Sequence, residues 1–292
     1  MNLSAPVTAE RRGMTNGCIR TDDPASGVRR VTLARPDVRN AQSPELLYEL
    51  DDALFAAARD DDVRVIILAA DGPDFSSGHD LRGGFKLPRP PVATMEGHLD
   101  AEGVEGHHAF ECEAYLGLCR RWRELPKPTI ASVQGRVIAG GLMLVWPMDL
   151  VVAADTATFA DPVVAFGVNG IEYFAHAFEL GVRRAKHLLF TGDPMTAGEA
   201  LQAGMVSSVV PADELEAATL ELAVRIAARP PFALRMAKAS CNRSQDAQGL
   251  QQAMDTAFGH HTAGHANCLA RYGQLMDPTG ADVIRQSMRR ER

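Results

Sequence analysis

The sequence has no basic excess. Its 292 residues carry 30 Lys and Arg against 37 Asp and Glu, a formal net charge of −7. Nothing in that balance would neutralise a phosphate backbone, so no nucleic-acid partner is expected. The clusters at Arg29-Arg30, Arg120 to Arg123 and Arg289-Arg290 read as solvated faces. Long hydrophobic runs are missing as well. The longest, Val137 to Met148, is interrupted by two glycines and a proline and is too short to cross a bilayer, so no membrane association is expected. The N-terminus carries Glu10, Arg11 and Arg12 with no apolar stretch behind them, unlike a secretory signal. Cysteine is sparse: 5 in all, odd in number and scattered, without the paired spacing of a metal site. That usage fits a reducing compartment, and a cytoplasmic location is expected.

What the chain does contain is apolar periodicity: 46% of residues are hydrophobic, enough for a large core. Residues 1–17 have no period and read as a flexible extension. Val28 to Ala34 alternates as a strand. Ser43-Pro44-Glu45 is a helix start, with a capping serine, a proline in the first turn and an acid behind it. Val63 to Ala70 and Thr129 to Val133 read as buried strands, each followed by a glycine-containing turn. Residues 82–106 read as a long irregular loop and 107–124 as a helix closed by Pro126 and Pro128. Further strands are expected at 149–154, 156–160 and 205–210, and helices at 182–190 and from Thr196 to Ala203. From residue 211 onward the pattern is helical, with breaks at Pro230-Pro231, near Gly249, between Gly259 and Gly264, and at 278–280. The chain therefore divides into an extension (1–17), an α/β core (18–210) and a helical region (211–292).

The stretch around Gly140-Gly141 joins a strand to a helix start. Such a junction leaves backbone N–H groups of the first turn unpaired, and the helix dipole adds partial positive charge there. A glycine pair at such a turn also serves simple close packing, so other segments have to decide. Four do. Phe75-Ser76-Ser77-Gly78-His79-Asp80-Leu81 resembles the F-[SA]-[SA]-G-x-D-[LI] turn of the enoyl-CoA hydratase/isomerase (crotonase) superfamily. Lys127 to Gly135, followed by Ala139-Gly140-Gly141 and Asp149, resembles its K-P-x-I-A-x-V-x-G…GG…D stretch. Arg35 to Ala41 looks like its R-P-x-x-x-N-A turn, and Thr191-Gly192-Asp193 with Ala197 to Val206 resembles a later segment.

The resemblance implies a crotonase-like spiral of ββα repeats with a helical C-terminal oligomerisation region, assembled as a homotrimer or homohexamer. It implies an acyl-CoA substrate, with coenzyme A arriving as part of that substrate and no separate cofactor or metal. The family's two oxyanion donors map onto the backbone N–H groups of His79 and Gly140, a role in which amides stabilise charge developing on a thioester oxygen. Arg39 and Ala41 map along the CoA nucleotide. Phe75, Ser76, Ser77, Asp80 and Leu81 belong to the substrate-holding turn, and Gly141, Met143 and Val163 border the acyl side. For Asp80 a turn-stabilising role is the stronger reading. The histidines at 107, 108, 260, 261 and 265 lack an accompanying Cys or Asp cage and read as surface residues.

The sequence departs from the family where its hydratases place two glutamates. Met143 follows the glycine pair, and Val163 follows Pro162. Neither transfers protons, so hydration by two glutamates is not expected. Glu172, between Ile171 and Tyr173, is the best local proton carrier, with His176 four residues on. Glu113 and Tyr115 come next, then Asp161. Four readings stay open: an acyl-CoA lyase or isomerase working through an enolate or oxyanion, a catalytically silent acyl-CoA-binding subunit, a thioester hydrolase, and a hydratase by an unusual route in which substrate hydroxyls or water supply the protons.

Overall fold

The computed structural model describes residues 14–82, 87–88 and 97–290. Three strands open it, β1 (Met14–Asn16), β2 (Ile19–Ala25) and β3 (Val28–Leu33), followed by α1 (Pro44–Arg59) and β4 (Val65–Ala70). Next come α2 (Val104–Glu111) and α3 (Leu118–Arg123), joined by a π-helical segment over Cys112–Gly117. The middle of the chain runs β5 (Thr129–Val133), β6 (Arg136–Ile138), a 3-10 turn at Ala139–Gly141, α4 (Leu142–Val145), β7 (Leu150–Ala154) and β8 (Thr158–Ala160). The rest is α5 (His176–Leu180), α6 (Val182–Thr191), β9 (Met195–Thr196), α7 (Ala197–Ala203), β10 (Ser208–Val210), α8 (Leu215–Ala227), α9 (Pro231–Ala247), α10 (Leu250–Tyr272) and α11 (Gly280–Arg290).

The main sheet has the order β1-β2-β3-β4-β5-β7-β10, antiparallel at the β1–β2–β3 end and parallel from β3 to β10. Strands inside a covered parallel sheet need apolar residues on both faces, which explains the unbroken runs in β4 and β5. Helix α1 packs on β2, β3 and β4, and α8 on β4, β5 and β7. A smaller sheet has the order β6-β8-β9.

The register puts the turns after β4 and β5 beside each other. Ile66 pairs with Thr129 and Leu68 with Ala131, so the two strands end together. The turn after β4 then runs along β6: Ser76 N–H donates to Arg136 O at 3.2 Å, and Ile138 N–H to Ser76 O at 3.0 Å. The two segments that carry the resemblance thus share one corner of the fold.

Helix signals behave as their chemistry dictates. Ser43 Oγ caps α1 by accepting from Leu46 N–H at 3.3 Å. Thr196 and Glu199 form a capping box on α7, which Gly204 ends. Several expectations need correction. Residues 14–16 are not part of a loose extension but pair as β1 with β2, a strand pair that short alternating segments conceal; residues 1–13 lie outside the described residues. The expected 82–106 loop gives way at Val104 to α2, and its residues 83–86 and 89–96 lie outside the described residues. No break occurs between Gly259 and Gly264, since α10 runs through both. Gly264 serves packing instead: a Cβ there would stand 2.6 Å from Gly167 O. Helix α8, the first of the C-terminal helices, packs back on the core and buries Leu215, Thr219 and Ala223 on the sheet, with Thr219 Oγ1 3.1 Å from Ser132 Oγ.

Candidate active site

The corner is held by side chains that tie turn to turn. Asn40, fully buried, accepts from Arg35 N–H and donates to the carbonyls of Asp71 and Asp74 at 2.9 and 3.0 Å. Ser76 Oγ donates to Asn40 O at 2.9 Å, and Gln42 Nε2 donates to Gly140 O at 2.6 Å. Asp80 accepts from Arg35 Nη2 at 3.1 Å and from Arg82 N–H at 3.2 Å, the turn-stabilising role favoured for it. The price of the close approach is left-handed backbone: Arg39, Asn40 and Ala139 have φ of 55°, 51° and 49°, and all three lie in these turns. Gly78, at φ 90°, sits where a Cβ would meet Ile138 O at 2.8 Å and Gly140 N at 3.3 Å.

Within this frame, neither the His79 nor the Gly140 N–H donates to an acceptor among the described residues. The His79 ring lies over Gly140, where an added Cβ would stand 2.7 Å from Cε1. On its other side the ring stacks on Tyr115, centroids 3.9 Å apart and planes 13° from parallel. His79 Nε2–H faces Glu172 Oε2 at 3.2 Å, while its Nδ1 is buried without a partner. Glu172 is only 3% exposed. Burial, reinforced by the charges of Glu172, Glu111 and Asp80, pushes the Tyr115 hydroxyl well above the usual tyrosine range. The structure therefore brings together His79, Gly140, Tyr115 and Glu172.

Other candidates go elsewhere. Glu113 takes a hydrogen bond from Tyr48 Oη at 3.3 Å and has Arg121 Nη1 at 3.7 Å, with no contact to Glu172 or His79. Glu172 and His176 do not face each other on one helix, because α5 starts at His176 and Glu172 precedes it. His176 Nε2 instead bonds Asp161 Oδ2 at 2.7 Å, both fully buried. Asp161 also accepts from Ile171 N–H at 3.1 Å, so this pair grips the chain on both sides of Glu172. Phe75 and Met143 are core residues, and Ser76 and Gly141 are buried at the turn-to-turn contact. Val163 is half-buried at the 3-10 turn after Pro162.

One cluster stands where the sequence pattern suggested surface residues. His107, His261 and His265 are not surface histidines. They are buried, while His260 is exposed and His108 half-buried. They surround Glu111, itself 3% exposed, whose Oε1 lies 2.9 Å from His107 Nε2, 3.3 Å from His265 Nε2 and 3.6 Å from His261 Nε2. Burial opposes the Glu111 charge, yet the three imidazoles outweigh it and hold the carboxyl well below its usual range. Burial likewise opposes charge on His261, but Glu111 and Glu172 together push it up to about 9. His261 Nε2 is 3.6 Å from Glu172 Oε1, which links the cluster to the corner formed by His79 and Gly140. The signal in the sequence was the pair of i,i+4 spacings, His107/Glu111 and His261/His265. The π-helical segment that follows Glu111 was not legible, and such segments recur at functional sites.

A cavity of about 490 Å³ opens at the corner, lined by Asp37, Val38, Arg39, Ala41, Ser77, His79, Asp80, Leu81 and Arg82. Six of these, Arg39, Ala41, Ser77, His79, Asp80 and Leu81, are residues the sequence reading assigned to the substrate. A larger cavity of about 880 Å³ lies between α9 and the start of β7 and contains none of them.

Comparison with known proteins agrees with this arrangement. The profile of the enoyl-CoA hydratase/isomerase family matches residues 23–268. The EchA13 protein of Mycobacterium tuberculosis, which carries an enoyl-CoA hydratase name, is 45% identical over 245 residues, covering 81% of this chain and 77% of that protein. Mouse enoyl-CoA hydratase domain-containing protein 3, mitochondrial, is 37% identical over 239 residues, covering 80% and 71%. A crystal structure from Mycobacterium thermoresistibile, described as a probable enoyl-CoA hydratase, superposes with a TM-score of 0.81 at 47% identity, covering 89% of this chain and 99% of that one. With the turns, the cavity and these likenesses in agreement, the chain belongs to the enoyl-CoA hydratase/isomerase family of the crotonase superfamily.

Proposed function

We propose that this acyl-CoA enzyme works through a thioester enolate, with Glu172 as its proton carrier and the His79 and Gly140 amides as oxyanion donors. The observation that carries the reading is a buried carboxylate hydrogen-bonded to the His79 ring, which itself covers Gly140. Double-bond isomerisation suits a single carboxylate. Glu172 removes a proton from the carbon next to the thioester, the electron pair moves toward the oxygen where the amides meet it, and the same carboxyl returns the proton two carbons further on. His79 holds Glu172 through Nε2, and its Nδ1 is buried without a partner. The cavity lined by Arg39, Ala41, Ser77, Asp80 and Leu81 would take the CoA portion, and no cofactor beyond the substrate's own coenzyme A enters the scheme.

A second reading, a catalytically silent acyl-CoA-binding subunit, draws support from Met143, buried at 1% and unable to move protons. Thioester hydrolysis is the remaining alternative. A screen of enoyl-, 3-hydroxyacyl- and aryl-CoA thioesters by liquid chromatography with mass detection separates the three, because double-bond isomers of equal mass differ in retention. Turnover of a β,γ- or α,β-enoyl ester without loss of free CoA is the expected result. Binding without turnover would install the silent reading, and release of CoA the hydrolase. Glu172→Gln is expected to lower kcat by about 10²–10⁴-fold while leaving thioester binding in place. Unchanged turnover would remove Glu172 from the mechanism. A homotrimer or homohexamer in the cytoplasm completes the proposal. Among the described residues no helix is long and apolar enough to cross a membrane, and Phe190 and Phe232 are 76% and 70% exposed.

A further inference from the structure

The cluster behind Glu172 has no part in the scheme above, and its chemistry is that of a cation site. We propose that Glu111, His261 and His265 bind a divalent transition metal of the zinc class, bridging α2 and α10 beside the catalytic carboxylate.

Ring orientation is the first argument. His261 Nδ1–H donates to Gly170 O at 2.8 Å and His265 Nδ1–H to Leu275 O at 2.6 Å. With those protons committed, Nε2 is the one ring nitrogen that each histidine has left for a further partner. The two Nε2 atoms stand 3.0 Å apart, facing each other. Two Nε2 atoms at that distance share a cation, either a proton carried by one ring or a metal ion held by both. Metal-ligating histidines are oriented this way, with the distal N–H on a backbone carbonyl.

Spacing is the second. The ligand atoms Glu111 Oε1, His261 Nε2 and His265 Nε2 are separated by 3.0, 3.3 and 3.6 Å. Tetrahedral zinc with bonds of about 2.0–2.1 Å has ligand–ligand edges of about 3.3–3.4 Å. An ion about 2.1 Å from each of the three atoms therefore fits without rearrangement. The fourth corner is left to a small exogenous ligand such as water. His107 steadies the site from the other side, with Nε2 2.9 Å from Glu111 Oε1.

Charge is the third. Glu111 and Glu172 are both buried, and among the described residues no Lys or Arg forms an ion pair with either. Glu111 Oε2 is also buried without a partner. Beyond the single charge that a protonated histidine brings, a divalent ion offsets the negative charge of both carboxylates. Imidazole with carboxylate is a donor set suited to zinc and its neighbours, and poorly suited to calcium or magnesium.

The test uses the full chain, freed of metal by chelator and dialysis, and titrated with Co²⁺. The expected result is the visible absorption of four-coordinate cobalt, saturating at one equivalent per chain and displaced by Zn²⁺. His261→Gln and His265→Gln should each weaken binding by at least about 100-fold, while exposed His187→Gln should leave it unchanged. Because a ligand variant can fail to fold, the unmodified protein is also melted with and without Zn²⁺, and a raised Tm with Zn²⁺ is expected. Absence of a cobalt spectrum together with an unmoved Tm would overturn the proposal. So would cobalt binding that survives both histidine substitutions in folded protein. The cobalt and melting readouts need no thioester, so they stand or fall apart from the proposed reaction.

Discussion

Gln42 shows how much of this site depends on single polar side chains that touch no substrate. Its amide is buried and donates to Gly140 O at 2.6 Å, fixing the peptide that follows the proposed donor N–H. Gln42→Ala leaves that carbonyl only the shared Leu142 N–H two residues on, and a buried acceptor that loses its main donor costs about 1–3 kcal/mol. Denaturant unfolding should show a loss of that size, and turnover should fall with it as the Gly140 turn loosens. Intact stability would mean that the carbonyl finds another donor. The same scale explains what the motifs conceal. Asn40 stands inside the R-P-x-x-x-N-A turn, yet its work is tying that turn to the one after β4 with three hydrogen bonds from a left-handed backbone position. Glu113 and Glu111 are two residues apart, and only the second reaches the site. The helical pattern marked the helix but not which acid faces inward, because the π-helical segment shifts the phase of the side chains that follow.

At the scale of elements, α10 is the helix on which the site depends most unexpectedly. It carries His261 and His265, and it approaches residues 167–168 so closely that a Cβ on Gly264 would lie 2.6 Å from Gly167 O. Gly264→Ala should raise helix propensity by about 1 kcal/mol, but crowding against backbone costs about 1–3 kcal/mol, and the neighbouring carbonyl has little room to yield. A lowered Tm is expected; a raised one would show that α10 can shift. Helix α5 provides a pH-dependent contribution. Burial pushes the Glu179 carboxyl up from its ordinary 4.5 to about 7, with Arg123 opposing weakly. Between those values the unfolded chain loses the proton while the folded one keeps it. Stability therefore falls as pH rises from about 4.5 to 7. Discounted for the partial exposure of Glu179, the loss is about 1–2 kcal/mol. Glu179→Gln should flatten that part of the stability profile, and an unchanged slope would assign it to other groups.

At the scale of the whole molecule, the exposed phenylalanines raise the question of assembly. Phe190 on α6 and Phe232 on α9 present apolar surface that a monomer would leave in water. Sedimentation equilibrium should return three or six times the chain mass. A monomer at micromolar concentration would contradict the proposed trimer or hexamer. The fold class and most elements were legible because they follow from local rules: apolar runs in covered strands, a serine cap before α1, a capping box and a glycine stop around α7. Local rules also located the two turns, since close approach of backbones demands glycine at Gly78 and Gly140. Which acids and histidines meet was settled only in three dimensions. Glu172, Glu111 and His261 lie far apart along the chain, on segments whose separate patterns carry no information about one another. Their contact depends on how α2 and α10 pack behind the corner, and burial then turned histidines that looked like surface residues into the partners of a buried carboxylate. The Gly140 turn marked where a thioester oxygen would lie; packing decided what surrounds it.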